Sequence, residues 1–151
     1  ISVARISHPK ELLHTGQNLL CIMKQSDVTQ NRFTVSHKEL LGTWEENASL
    51  FQVGETVSGI IRSVENYGIF IELAPNLAGL AEYTSNVEVG QQASVYIKSI
   101  NPEKMKIKLS IVDSFPEKAE PKPVKYFYDG DHMDMWQYSP EIAEKIIESV
   151  F

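Results

Sequence analysis

The chain is short of several things, and each shortage narrows what it can be. It has one cysteine, Cys21, in 151 residues. A single thiol cannot close an internal disulfide, so the chain is no disulfide-stapled secreted scaffold and suits a reducing cytoplasm. Cys21 sits in the apolar run Leu19, Leu20, Cys21, Ile22, Met23, where it reads as a small buried hydrophobe rather than a nucleophile. No apolar run approaches the roughly twenty residues of a membrane-spanning helix, and no basic-plus-apolar leader opens the chain. The first residue is Ile1 rather than Met, so the chain is expected to be a segment of a longer protein, and a leader upstream is left open.

An excess of positive charge is also missing. The net charge is −6, which argues against a dedicated duplex-binding protein. Residues 1–50 hold five basic and five acidic groups, residues 51–113 five and seven, and residues 114–151 four and eight. Any nucleic-acid site is therefore expected before residue 114. Phosphate-cradling glycine loops, nucleophile elbows and zinc spacings are absent. The paired acids Glu45 and Glu46 lack a partner for acid–base work. Asp129, Asp131, His132 and Asp134 are close in sequence, but their spacing is not that of a calcium loop, and they read as turn and edge residues. Neither catalysis, a metal nor a cofactor is expected.

What is present centres on residues 54–70, Gly-Glu-Thr-Val-Ser-Gly-Ile-Ile-Arg-Ser-Val-Glu-Asn-Tyr-Gly-Ile-Phe. This reads as two strands joined by a tight turn. Side chains alternate across a strand, so Ile69, Ile71 and Leu73 point to a core while Phe70 and Glu72 point outward. An outward Phe leaves apolar area in water, and base stacking is one reason for such a choice. Further strands are expected at 77–82, 94–100 and 104–112, separated by turns. Five short strands predict a small barrel. In the last of them Lys104, Lys106 and Lys108 alternate with Met105, Ile107 and Leu109. Lysines on one face either protect an edge or contact phosphates.

Upstream, Val3 and Ile6 suggest a short strand, and Pro9 opens a helical turn. Residues 18–25 and 32–36 read as strands around a polar turn. Residues 16–36 echo residues 90–110 at an offset of 74, with Gly16/Gly90, Gln17/Gln91, Lys24/Lys98 and Ser36/Ser110 identical and Asp27 facing Asn101. A fixed offset suggests two copies of one module, the first present only as its closing half. Ser36–His37–Lys38–Glu39 and Thr43–Trp44–Glu45–Glu46 both have the form of a capping box, predicting two connector helices, with Trp44 as a core anchor. Residues 114–125, rich in Pro and charge, read as an extended linker. Residues 131–138 suggest a return strand. Ser139 and Pro140 open a predicted C-terminal helix with Ile142, Ile146 and Val150 on one stripe.

Residues 54–113 resemble the RNA-binding domain named after ribosomal protein S1. The motifs that carry the resemblance are Gly-Glu-Thr-Val-Ser-Gly-Ile-Ile (54–61), Tyr-Gly-Ile-Phe-Ile (67–71), Ala-Gly-Leu-Ala-Glu (78–82), Gly-Gln-Gln-Ala-Ser-Val (90–95) and Lys-Ile-Lys-Leu-Ser (106–110). The resemblance implies a five-stranded OB barrel that binds single-stranded RNA, with Tyr67 and Phe70 as the stacking pair. The family's usual histidine is replaced by Glu82, its aspartate at the last turn by Asn101, and its last-strand arginine by Lys106. Lys98, Lys106, Lys108 and Arg62 are expected near phosphates.

The resulting expectation is a mainly β protein. Residues 1–36 form an incomplete S1-like module, 37–51 a helical connector, 52–113 the complete barrel, 114–125 a linker and 126–151 a hairpin and helix packing on 1–36. It is a non-enzymatic, cytoplasmic RNA-binding chain acting in translation or RNA metabolism, on mRNA or the ribosome, with no membrane partner. The alternative is a degenerate module that serves as a protein-interaction or scaffold domain with little RNA affinity, a reading favoured by Glu82 and the acidic total.

Overall fold

A computed structural model describes residues 1–4 and 6–151. Strands β1 (Ile22–Asp27) and β2 (Arg32–Ser36) form a separate two-stranded hairpin. Helix α1 (Trp44–Ala48) leads into β3 (Thr56–Glu65), β4 (Gly68–Ala74), β5 (Leu77–Ala81), β6 (Gln91–Asn101) and β7 (Lys106–Lys118). These five close a barrel in the order β3-β4-β5-β7-β6. Strands β8 (Met135–Gln137) and β9 (Glu148–Val150) pair with each other.

The barrel follows from alternation. Ile69, Ile71 and Leu73 on β4 face Val95 and Ile97 on β6 and Ile107 and Leu109 on β7, and none is more than 2% exposed. Each such side chain contributes about 1.5–3 kcal/mol on burial. Trp44 is buried against this core, as expected of an anchor. Its helix starts with a complete capping box: Thr43 Oγ1 accepts from Glu46 N at 3.2 Å, and Glu46 Oε1 accepts from Thr43 N at 3.0 Å.

Several expectations are corrected. Glu72 does not face water; it is 1% exposed, because the N-terminal segment covers that end of β4. The first capping box does not form. Ser36 Oγ instead donates to Glu39 Oε2 at 2.6 Å, and the helix shrinks to one 3₁₀ turn, Lys38–Leu40. Val3 and Ile6 lie outside any strand. Cys21 is exposed, since the sheet that would bury it has only two strands. Strand β7 runs through the boundary expected at 113 and takes up the first part of the linker. Pro116, which has no N–H to give, falls where the register shifts between Gln91 and Ala93, a bulge that tolerates it. The rest of the linker is strapped down: Lys122 Nζ donates to Ser58 O at 2.6 Å and Leu73 O at 2.8 Å.

No C-terminal helix forms. Ser139 Oγ accepts from Ile147 N at 2.9 Å, and Tyr138 N donates to Ile147 O at 2.8 Å. The serine thus closes the base of a loop rather than capping a helix, and the apolar stripe stays exposed at Ile142 and Ile146. Residues 126–138, expected to patch the first module, lie largely against the barrel. Met133, Trp136 and Tyr138 pack on the barrel core, and Trp44 N donates to Tyr138 O at 2.9 Å. Tyr126 does reach back, accepting from Leu20 N at 3.0 Å.

The echo in the sequence is geometrically close. Ile22↔Ser36, Met23↔Val35, Gln25↔Thr34, Ser26↔Phe33 and Asp27↔Arg32 in the hairpin correspond at offset 74 to Tyr96↔Ser110, Ile97↔Leu109, Ser99↔Lys108, Ile100↔Ile107 and Asn101↔Lys106 in the barrel. The bulge recurs at the same place, and so does the left-handed turn residue, Asn31 (φ 55°) against Met105 (φ 50°). In the hairpin, however, Met23 and Val35 are more than half exposed, where Ile97 and Leu109 are core.

One buried residue ties the periphery to the barrel. Asn76, fully buried in the β4–β5 turn at φ 77°, accepts from Val3 N at 2.8 Å and donates to Lys38 O at 2.7 Å and Gly42 O at 3.2 Å. Its own carbonyl accepts from the Tyr138 hydroxyl. Asn76→Ala takes the side-chain partner from Val3 N, Lys38 O and Gly42 O and is expected to cost about 1–3 kcal/mol in a urea melt.

His37 gives a pH signature. It is buried, with Nε2 3.2 Å from Tyr126 Oη, and burial holds its pKa below the ordinary 6.5, although Glu39 pulls the other way. As pH falls through 6.5 the unfolded chain takes up the proton before the folded one, so folding stability declines toward the lowered value. Melts across this range should show that decline, and His37→Gln should flatten it.

Candidate nucleic-acid interface

The β3–β4 turn and the outer faces of β4, β5 and β7 form one surface. Tyr67 lies in the turn and is 64% exposed; Phe70, three residues on, is half-buried. Their rings meet edge to face, with centroids 6.1 Å apart and planes at 80°. The edge-to-face contact fixes two differently oriented apolar faces without burying either ring completely. Gly68 makes this turn possible. A Cβ there would stand 2.7 Å from Leu80 Cδ1 and 2.8 Å from Ala81 O, so only glycine lets β4 approach β5 this closely.

Register carries the surface onward. Ser63 pairs with Phe70, Phe70 with Leu80, Leu80 with Lys108, and Lys108 with Ser99. Paired side chains share a face, which sets an aromatic ring, a leucine and a lysine in one row. Lys106 lies two residues before Lys108 and is likewise exposed. Lys98, also exposed, occupies the bulge between Ile97 and Ser99. Asn101 pairs with Lys106, and its Oδ1 accepts from Lys104 N at 3.3 Å, which shapes the β6–β7 turn. Glu82 is exposed just after β5.

Arg62 is not part of this surface, contrary to expectation. It is 7% exposed; its Nε donates to Glu72 Oε2 at 2.8 Å and its guanidinium to Glu11 O at 2.9 Å. A guanidinium so enclosed holds the N-terminal segment against the barrel and has no path to a phosphate.

Leu80 was missed by sequence reasoning, although the signal existed. It alternates with Leu77, Gly79 and Ala81 and is the same kind of outward apolar residue as Phe70. Beyond Lys108 the surface dips into an open groove of about 530 Å³ lined by Lys104, Lys106, Lys108 and Ile142. The last of these comes from the β8–β9 loop, a neighbour that no local pattern announces.

A closed five-stranded barrel in which the third strand pairs in parallel with the fifth is an OB-fold. No protein-family model matches the chain. It is similar to small ribosomal subunit protein bS1 of Staphylococcus aureus strain COL, 26% identical over 167 residues, which covers 97% of this chain and 43% of the relative. It is also similar to bS1 of Chlamydia muridarum, 26% identical over 121 residues, covering 72% of this chain and 21% of the relative. The chain therefore spans about two-fifths of the length of the Staphylococcus relatives it matches. Together, the barrel and this similarity identify an S1-like OB-fold domain.

Proposed function

We propose that the chain binds single-stranded RNA across the outer face of β4, β5 and β7, as a non-catalytic module acting in translation in the cytoplasm, on mRNA or at the ribosome. The observation that carries this is the Tyr67–Phe70 pair, one ring exposed and the other half-buried, continued by Leu80 into a row of lysines. Stacking on the rings serves any base, while Lys98, Lys106 and Lys108 supply mobile charge for the backbone. The net negative charge of the chain does not oppose this, because the lysines are gathered on one side of the barrel. The similarity to bS1 supports the translational setting. By the same correspondence, the β1–β2 hairpin is the closing half of a second such module.

The test is fluorescence anisotropy of a labelled single-stranded RNA over a range of salt. Three lysine–phosphate contacts on a single strand predict a log–log salt slope of about −2. Failure to bind even at low salt would overturn the proposal.

A second reading is favoured by one observation. The hairpin leaves Met23, Phe33 and Val35 exposed together, and an exposed apolar sheet face serves protein contact. A partner that stays bound after ribonuclease treatment would support it.

A further inference from the structure

The loop between β8 and β9 belongs to neither the barrel nor the hairpin, yet it is held in place at both ends of its reach. Its base is closed by the Ser139–Ile147 hydrogen bond and docked through Tyr138 on Asn76. Its tip leans on the β6–β7 turn, where Glu144 N donates to Glu103 O at 2.8 Å. This braced tip makes Ile142 a wall of the 530 Å³ groove over Lys104, Lys106 and Lys108. It also makes Lys145 a wall of the adjoining groove of about 220 Å³, which shares Lys104 and Lys106. Ile142 is 60% exposed, and Lys145 is exposed.

The charges in these grooves are unspent. Among the described residues the ion pairs are Arg62 with Glu72 and His132 with Asp134, so none of the four lysines is neutralised by a carboxylate. Glu103 lines both grooves and Glu144 the smaller one; the two meet through main-chain atoms, and neither carboxylate lies within ion-pair distance of a lysine. Four lysines converging on a cleft with one exposed apolar residue fit a flexible polyanion that also carries apolar surface, which is the chemistry of single-stranded nucleic acid.

We propose that the β8–β9 loop is the second wall of the RNA path. A strand stacked on Tyr67 and Phe70 continues past Lys108 into the cleft, its phosphates held by Lys104, Lys106 and Lys145, with Ile142 against a sugar or base. This rests on the RNA-binding reading and extends it. The barrel face alone holds a short oligonucleotide, and the loop lengthens the bound stretch.

The experiment compares a labelled oligouridylate of about five nucleotides with one of about fifteen, lengths near the two ends of the usual range for one OB-fold. The proteins are the native chain, Lys145→Gln, Lys145→Gln/Ile142→Ala, and Tyr67→Ala/Phe70→Ala. The substituted loop residues are exposed, so their variants should melt like the native chain. The loop variants are expected to bind the longer RNA about three- to tenfold more weakly, with the salt slope less steep by about 0.7 for the lost contact, and to bind the shorter RNA unchanged. If they bind the longer RNA as the native chain does while the aromatic variant loses both, the loop proposal is overturned and the barrel face stands. If the aromatic variant also binds both RNAs normally, the barrel-face reading fails with it.

Discussion

Glu72→Ala is expected to destabilise the chain by about 3–5 kcal/mol, because it strands the Arg62 guanidinium in the protein interior without its counter-charge. That is a large share of the 5–15 kcal/mol that typically holds a domain together, so the variant should melt far below the native chain or fail to fold. Both partners are under 10% exposed, and solvent cannot compensate the loss. Glu72 also faces Lys122, whose pKa is lowered chiefly by burial and partly restored by this carboxylate; losing Glu72 weakens the strap as well as the pair. Replacing both partners, as in Arg62→Met/Glu72→Leu, removes the charges together and should recover most of the stability. Urea melts of the three proteins check this. The double variant should still bind RNA, since Arg62 lies away from the proposed path. A stable double variant that has lost RNA binding would instead restore the phosphate contact expected of Arg62 from its sequence position.

Tyr67→Ala/Phe70→Ala is expected to have the largest effect on binding. Removing a stacking ring typically costs about 1–3 kcal/mol per base, or about 5- to 150-fold for each ring. The rings touch each other, so their losses need not add, and the single variants should reveal the coupling. Tyr67 is mostly exposed and should leave the melt unchanged. Phe70 is half-buried beside Leu80, so Phe70→Leu, which keeps apolar bulk without the π-face, is the control for packing. If Phe70→Leu binds RNA as tightly as the native chain, Phe70 serves the barrel and not the ligand.

The barrel was legible because its strands obey one rule. Ile69, Ile71 and Leu73 alternate inward, and the turns carry residues suited to them. Phe70, Lys106 and Lys108 were legible for the same reason, as outward residues of the wrong or the charged kind. Arg62 and Glu72 deceived because alternation gives a side and not an environment. Both lie on the outer side of their strands, but the N-terminal segment covers them there, a contact across fifty-one positions between Arg62 and Glu11. The C-terminal helix failed on similar grounds. Its stripe at Ile142, Ile146 and Val150 needed an apolar surface to lie on. The chain instead spends Tyr138, Trp136 and Ile147 on the barrel and turns the remaining residues into a loop and β9. The echo of residues 90–110 in residues 16–36 was legible as an ungapped offset with four identities, but the bulge the two hairpins share was not, because no residue pattern in the strands announces it.

The ring of strands closes at its narrowest join. Strands β5 and β7 run parallel and share only the pairs Leu80–Lys108 and Ala81–Leu109, whereas β6 and β7 are paired along most of their length. Parallel pairing is also slightly weaker per residue, so this join is where the barrel should breathe first. An RNA laid from Phe70 across Leu80 to Lys108 spans it like a latch. Binding would then slow amide exchange along β5 more than elsewhere in the barrel, and a ligand that touches only the surface would be read out in how seldom the interior opens.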